Sequence, residues 1–75
     1  MKDAPRQLEA LIAVADIFTR ERRGATLREV LTVLGRQSAE RMALRRAVSR
    51  GWVVRDDAGL FAPTRHGWAQ LAEDT

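Results

Sequence analysis

The hydrophobic periodicity of the chain changes at Gly51, and this change limits the folds that are available to it. Before Gly51, apolar residues recur every three or four positions, which is the spacing of amphipathic helices. After it, residues 52–55 are rich in β-branched and aromatic side chains, residues 56–59 have the composition of a turn, and residues 60–63 form a return strand. The pattern predicts helices first and one hairpin near the carboxyl end.

The first helix carries an apolar stripe that is wider than one neighbour requires. Asp3 is suited to cap this helix, and Pro5 suits its opening turn. An ordinary surface helix needs an apolar arc only a little over about 100° wide. The extra width predicts a second contact, either with the last helix of the same chain or with a partner subunit. The stripe consists of Leu8, Ala10, Leu11, Ile12, Val14, Ala15, Ile17 and Phe18, and the helix is expected to end with Arg20, Arg22, Arg23 and Gly24.

Two more helices are predicted between Thr26 and Gly51. Thr26 and Glu29 form a capping-box sequence, and Gly35 stops the helix that they begin. Ser38 is suited to cap the third helix, which is expected to run to about residue 50. One side of the third helix is apolar, with Ala43, Leu44, Ala47 and Val48, and the opposite half carries Ser38, Arg41, Met42, Arg45, Arg46 and Ser49.

The carboxyl-terminal residues predict one more short helix. Thr64 is suited to cap it, and Trp68, Leu71 and Ala72 give it an apolar face. The expected fold is mostly α with a small β-hairpin (α+β), in the order helix, helix, helix, strand, strand, helix. No internal repeat or linker interrupts this order, so residues 1–75 are expected to form a single domain.

The chain is short for a stable domain. A domain of 75 residues buries only about 60–65% of the surface that its unfolded chain exposes. Because there is no cysteine, neither a disulfide nor a thiolate metal site can reinforce it. Burial against a partner, in a dimer or a DNA complex, would supplement its stability.

Two observations bear on where the protein resides. No apolar run approaches the roughly 20 residues that a membrane-spanning helix needs. The first five residues are not followed by the hydrophobic core of a signal peptide. We therefore expect a cytoplasmic protein with no membrane partner.

Arginine is concentrated in one part of the chain. Of the 13 basic residues, Lys2 is the only lysine, and six of the arginines lie between positions 36 and 55 with only Glu40 opposing them. Clustered arginine on one element is typical of a nucleic-acid contact. A solvated helix face in a protein from a high-GC genome would give the same composition. The six are Arg36, Arg41, Arg45, Arg46, Arg50 and Arg55.

In its order of elements the chain resembles a winged helix-turn-helix domain, and it is most similar to bacterial regulators of the MarR and PadR kind. The resemblance covers about residues 24–72, with the helix-turn-helix at about 26–51, the wing at about 52–63 and the carboxyl-terminal helix at about 64–73. The residues that carry it are Thr26-Leu27-Arg28-Glu29-Val30-Leu31, Ser38 onward, Arg50-Gly51-Trp52-Val53-Val54-Arg55, and Thr64-Arg65-His66-Gly67 followed by Leu71.

The resemblance implies sequence-specific binding to double-stranded DNA by a small, repressor-like transcriptional regulator. The helix at residues 38–50 would enter the major groove, where arginine bonds guanine through two atoms. Met42 is open to two interpretations, an apolar contact to a thymine methyl or packing at the rim. Arg50 fits a favourable position for a cation at the end of a helix. The candidate DNA-binding residues are Arg41, Arg45 and Ser49 toward the groove, Gln37 and Ser38 near its edge, Arg36 and Arg46 toward phosphates, and Met42 and Arg55.

The wing departs from the pattern of these regulators. Wings that grip DNA commonly carry lysine or arginine at the tip, whereas this tip has Asp56 and Asp57. Phosphates would repel both carboxylates. We expect the wing to be a structural cap or to meet a partner, with Arg55 as its one residue that reaches the DNA backbone. The aspartates could also be interpreted as metal ligands, but turn formation is the favoured interpretation.

The sequence offers little for catalysis. His66 is the only histidine, and it follows a threonine cap at an ordinary surface position. There is no cysteine nucleophile, glycine-rich phosphate loop or metal-ligand spacing. We expect neither enzymatic activity nor a cofactor.

Partner binding leaves several alternatives open. A homodimer reading an inverted repeat would place two recognition helices about 34–36 Å apart. A protein-interaction module on a winged-helix fold, or a phage or mobile-element accessory DNA-binding factor, would fit the same sequence. The dimer contact would use the first helix and the last, with intramolecular packing of those helices as the alternative. Its candidates are Leu8, Leu11, Val14, Ile17 and Phe18 together with Trp68 and Leu71.

Overall fold

The computed structural model describes the backbone of residues 6–35 and 38–74 and the side chains of residues 7–35 and 40–73. Asp3, the expected cap, and Pro5, expected in the opening turn, lie outside these residues. The elements confirm the predicted α+β winged-helix order. They are α1 (Arg6–Glu21), α2 (Leu27–Leu34), α3 (Ser38–Ser49), β1 (Val53–Arg55), β2 (Phe61–Pro63) and α4 (Arg65–Asp74). Over the described residues, no helix combines the length and apolarity needed to cross a membrane.

Helix α1 lies at the centre of the molecule. It packs against α2, α3, β2 and α4, so its own chain surrounds most of its circumference. Leu11, Val14 and Ile17 are at most 2% exposed. This accounts for the width of the apolar stripe without a partner. The stripe is misplaced at one position, because Ile12 is 46% exposed while Ala13 is buried.

Most of the expected dimer contact on α1 is buried within the chain itself. Four of its five candidate residues in α1 belong to the core, namely Leu8, Leu11, Val14 and Ile17. Leu71 is half-buried and also packs against that core. Phe18 and Trp68 remain partly exposed, with their rings edge to face at 6.3 Å between centroids. Of the expected contact, Trp68 is 42% exposed, and Phe18 and Leu71 are both half-buried.

The end of α1 differs from the sequence interpretation. The left-handed residue that terminates the helix is Arg22, with φ of 61°, and its amide donates to the Phe18 carbonyl at 2.9 Å. Gly24 serves another purpose, since a Cβ there would lie 2.8 Å from the Cβ of Leu60. Glycine at this position therefore allows the chain to pass close to the wing.

Ala25, in the loop between α1 and α2, pairs with the hairpin as a one-residue third strand. Ala25 and Phe61 exchange two backbone hydrogen bonds of 2.7 Å, forming an isolated antiparallel bridge. The hairpin itself pairs Val53 with Pro63 and Arg55 with Phe61. The bridge ties the wing, at the end of its ladder next to the turn, to the start of the helix-turn-helix.

Helix α4 is fixed against the other side of the wing. The Thr64 hydroxyl accepts from the amide of Gly67 at 3.0 Å and donates to the carbonyl of Gly51. A Cβ at Gly67 would collide with the carbonyl oxygen of Trp52. The threonine-x-x-glycine sequence thus combines a helix cap with a close approach of α4 to the strand.

The predicted capping box of α2 is confirmed. The Thr26 hydroxyl accepts from the amide of Glu29 at 3.1 Å, and the Thr26 amide donates to Glu29 Oε1 at 2.9 Å. Helix α2 ends at Gly35, whose φ is 115° and whose amide donates to the Leu31 carbonyl. Helix α3 follows after two residues outside the description.

Candidate nucleic-acid interface

The inner face of α3 is narrow and made of small side chains. Ala43, Leu44 and Ala47 are at most 3% exposed and belong to the core beside α1. Because two of the three are alanines, the helices approach closely. Glu40 also lies on this inner side, with 9% of its surface exposed. Over the described side chains of α3, the exposed face therefore carries no acidic residue.

Successive residues turn by about 100° in an α-helix, and this rotation orders the exposed face of α3. Ser49 lies on its crest, opposite the buried side, and Met42 and Arg45 lie about 30° to either side of that crest. Arg41 and Arg45 lie on the flank toward the wing, and all four residues are exposed. The remaining candidate, Arg46, lies on the other flank.

One open groove brings together three of the candidate arginines. It lies between α3 and the wing, has a volume of about 510 Å³, and is lined by Arg41, Arg45 and Arg55. Arg41 and Arg45 lie on α3 and Arg55 lies on β1, and the fold brings the two elements to one groove. The groove also contains apolar residues that the sequence analysis did not assign to a site, namely Leu27, Leu44, Val48 and Phe61. Val48 was expected on the buried side of α3 but is 37% exposed.

A second depression lies on the other flank of α3. Arg46, Ser49 and Arg50 line it together with Gln7 of α1, and its volume is about 380 Å³. Ser49 therefore lines the depression that holds Arg46, and it does not line the groove that holds Arg41 and Arg45. The two flanks give α3 a basic surface on either side of its crest.

Stacking on aromatic rings orients two of the arginines. The guanidinium carbon of Arg55 lies 5.6 Å from the centroid of the Phe61 ring, across the hairpin. The same atom of Arg50 lies 5.1 Å from the ring of Trp52. Such contacts hold a guanidinium over a ring and leave its edge free for hydrogen bonds.

Within the part of the chain that the structure describes, the arginines of this face are not paired with carboxylates. Among the described residues, Arg41, Arg45, Arg46 and Arg55 form no ion pair, whereas Arg23 binds both carboxylate oxygens of Glu29 at 2.8 and 2.6 Å. Unpaired guanidiniums leave their charge and their donors available to a ligand.

The tip of the wing is a tightly bonded turn. Asp56 Oδ1 accepts from the amides of Ala58 and Leu60, both at 2.9 Å. Gly59 has φ of 84°, which favours glycine. Asp56 therefore stabilises the turn, while Asp57 is exposed. Over the residues that the structure describes, no group of three or more His, Cys, Asp or Glu side chains could hold a metal ion.

Three candidate positions lie outside this description. Arg36 and Gln37 fall between the described segments, and Ser38 is described only as the first backbone residue of α3. His66 lies on the first turn of α4 and is exposed.

Comparison with known proteins adds no further constraint. No family model, curated protein or solved structure matches this chain.

Proposed function

We propose that this protein binds double-stranded DNA in a sequence-specific way and acts as a small, repressor-like transcriptional regulator in the cytoplasm. The observation that carries the proposal is the basic face of α3 and β1, where Arg41, Arg45 and Arg55 line one groove without carboxylate partners among the described residues. A polyanion supplies the missing negative charge, and its binding releases counterions.

Helix α3 is the element proposed to enter the major groove. Ser49 on the crest and Met42 and Arg45 on either side of it would meet base edges, with Arg45 reaching guanine through two hydrogen bonds. Arg41, Arg46 and Arg55 on the flanks would bind phosphates and fix the register. This division follows from exposure and from position around the helix.

A homodimer on an inverted repeat is part of the proposal, with a smaller contact than the sequence suggested. Phe18 and Trp68 are the expected contact, since the other α1 candidates are buried. Two half-exposed aromatic side chains fall well short of the roughly 800 Å² per partner of a standard interface. We therefore expect a dimer that is weak in solution and forms on adjacent half-sites.

The first test is a fluorescence-anisotropy titration of labelled random-sequence duplex at two salt concentrations. We expect affinity to fall steeply with salt, and each arginine that binds a phosphate to reduce the salt slope by about 1 when replaced by alanine. The variant is Arg41→Ala. Its matched control is Arg28→Ala, which removes the same charge from an exposed residue in the separate groove between α1 and α2.

The outcomes separate the alternatives. Folded protein that fails to bind duplex at low salt would refute the proposal. Equal losses in the two variants would show that net charge matters and the α3 face does not. Once a preferred site is selected from random duplexes, Arg45→Ala should weaken that site by about 1–3 kcal/mol. An accessory factor without sequence preference would instead lose affinity equally for all sequences.

A further inference from the structure

The groove between α3 and the wing has an apolar floor in addition to its arginines. Leu27 and Val48 are 38% and 37% exposed, and Leu44 and Phe61 form the deeper part. The exposed aliphatic surface lines the same groove as guanidiniums that have no carboxylate partner among the described residues. A ligand that covers both features must combine negative charge with apolar surface.

A DNA backbone would contact the arginines of this groove but would not need its apolar residues. Phosphates take hydrogen bonds and charge from arginine, and these interactions do not require aliphatic side chains. Leaving Leu27 and Val48 in water forgoes the free energy that covering them would release. The floor therefore points to a second occupant of the same groove.

We propose that the groove binds an acidic amphipathic segment of a partner protein, and that this segment competes with DNA. Its carboxylates would pair with Arg41, Arg45 and Arg55, because guanidinium and carboxylate match as two-pronged partners. Its aliphatic or aromatic side chains would cover Leu27 and Val48. The groove is open along its length, with both apolar residues and all three arginines exposed, so a chain segment fits it better than an enclosed small molecule.

Competition follows from the shared arginines. The proposed DNA contacts Arg41, Arg45 and Arg55 cannot pair with carboxylates and phosphates at the same time. This regulatory consequence rests on the proposed function, whereas binding of the segment does not.

The test uses two fluorescein-labelled peptides, one alternating glutamate with leucine and one alternating glutamate with serine. Both carry the same charge, so a difference between them measures the apolar floor. We expect the leucine peptide to bind about tenfold tighter. We also expect it to displace labelled duplex from the protein.

The diagnostic variant is Leu27→Gln/Val48→Thr, which keeps the three arginines and approximates the original side-chain sizes. It should lose the preference for the leucine peptide while its affinity for random duplex stays within about twofold. The matched control is Val33→Thr, which alters an exposed valine of α2 outside this groove and should change neither result. Val48→Thr alone serves if the double variant does not fold, as judged by circular dichroism.

Several outcomes would overturn the inference. Equal affinity for the two peptides would show that only the charges of the groove bind them and that its apolar residues contribute nothing. A preference that survives the floor variants would place the apolar contact elsewhere. A large loss of duplex affinity in those variants would make the floor part of the DNA contact. A leucine-peptide preference without duplex binding would refute the proposed DNA function and leave the segment site standing.

Discussion

Two arginine-bearing regions of the molecule use the same side chain in opposite ways. At the junction between α1 and α2, Arg23 is bound by Glu29, which in turn completes the capping box with Thr26. On the face formed by α3 and β1, Arg45 and Arg55 have no such partner among the described residues. One region satisfies its charges internally, and the other leaves them available to a ligand.

An arginine with a carboxylate partner inside the protein acts structurally, whereas an arginine without one is available to bind a ligand, whatever the number of arginines nearby. At the junction, the Arg23 hydrogen bonds and then the backbone amide of Thr26 lower the pKa of Glu29 from 4.5 to about 2. The same contact raises the pKa of Arg23. Changes at the junction should therefore affect folding, and changes on the α3 face should affect binding.

The largest expected effect comes from reversing charge on the α3 face. Arg41→Glu/Arg45→Glu places two carboxylates where phosphates would lie, so duplex affinity should fall by more than about tenfold at moderate salt. The free energy of unfolding should change by less than about 0.5 kcal/mol for each substitution, because both residues are exposed. Anisotropy and urea titrations measure the two quantities. Unchanged duplex affinity would show that the unpaired arginines of α3 do not bind DNA.

Removing the cap at the junction should change stability and leave DNA binding unchanged, the reverse of the effect expected on the α3 face. Thr26→Ala should cost about 1 kcal/mol of unfolding free energy, because the amide of Glu29 loses its acceptor. In a domain of this size, that corresponds to a fall in Tm of about 4–8 °C. Duplex affinity, measured well below the Tm, should not change. A loss of affinity in fully folded protein would show that the junction contributes to binding.

The pH dependence of stability should identify the contribution of Glu29. Its pKa is lower in the folded protein than in the unfolded chain, so the carboxylate stabilises the fold fully above about pH 4.5. This stabilisation should be lost as the pH falls from about 4.5 toward about 2. Urea titrations of the native protein and Glu29→Gln should therefore differ at pH 7 and converge in this window. A constant difference would contradict the assignment.

The smallest effect is expected at the wing tip. Asp56→Asn/Asp57→Asn removes two negative charges near the proposed DNA path, so duplex affinity should stay the same or rise slightly. An asparagine at position 56 retains an oxygen that can accept from the amides of Ala58 and Leu60. Anisotropy at two salt concentrations measures the change. A clear loss of affinity would mean that the aspartates take part in binding.

Local chemistry explains which parts of the fold were predictable. The capping box depends on two residues only three positions apart, Thr26 and Glu29, and the end of α2 depends on Gly35 alone. Both can therefore be recognised in the sequence. The bridge between Ala25 and Phe61 could not be predicted, because a single paired residue leaves no periodic signal. Gly24 was misinterpreted as a helix end because its close neighbour, Leu60, is distant in sequence.

The candidate site was predictable in composition but not in shape. The helical spacing of α3 indicated which arginines share its outer half. It could not show where that half ends, so Val48 was assigned to the interior although it lines the groove. Leu27 and Phe61 reach the same groove from other elements, and only the tertiary fold brings them there.

The small inner face of α3 has a consequence for how such a protein can evolve. Ala43 and Ala47 hold the helix to the core, while Met42, Arg45 and Ser49 point away from it. Surface substitutions away from special features usually change stability by no more than about 0.5 kcal/mol. Variation at these three outer positions can therefore accumulate without loss of foldability. A library randomised there would give a family of folded domains that differ in what they recognise.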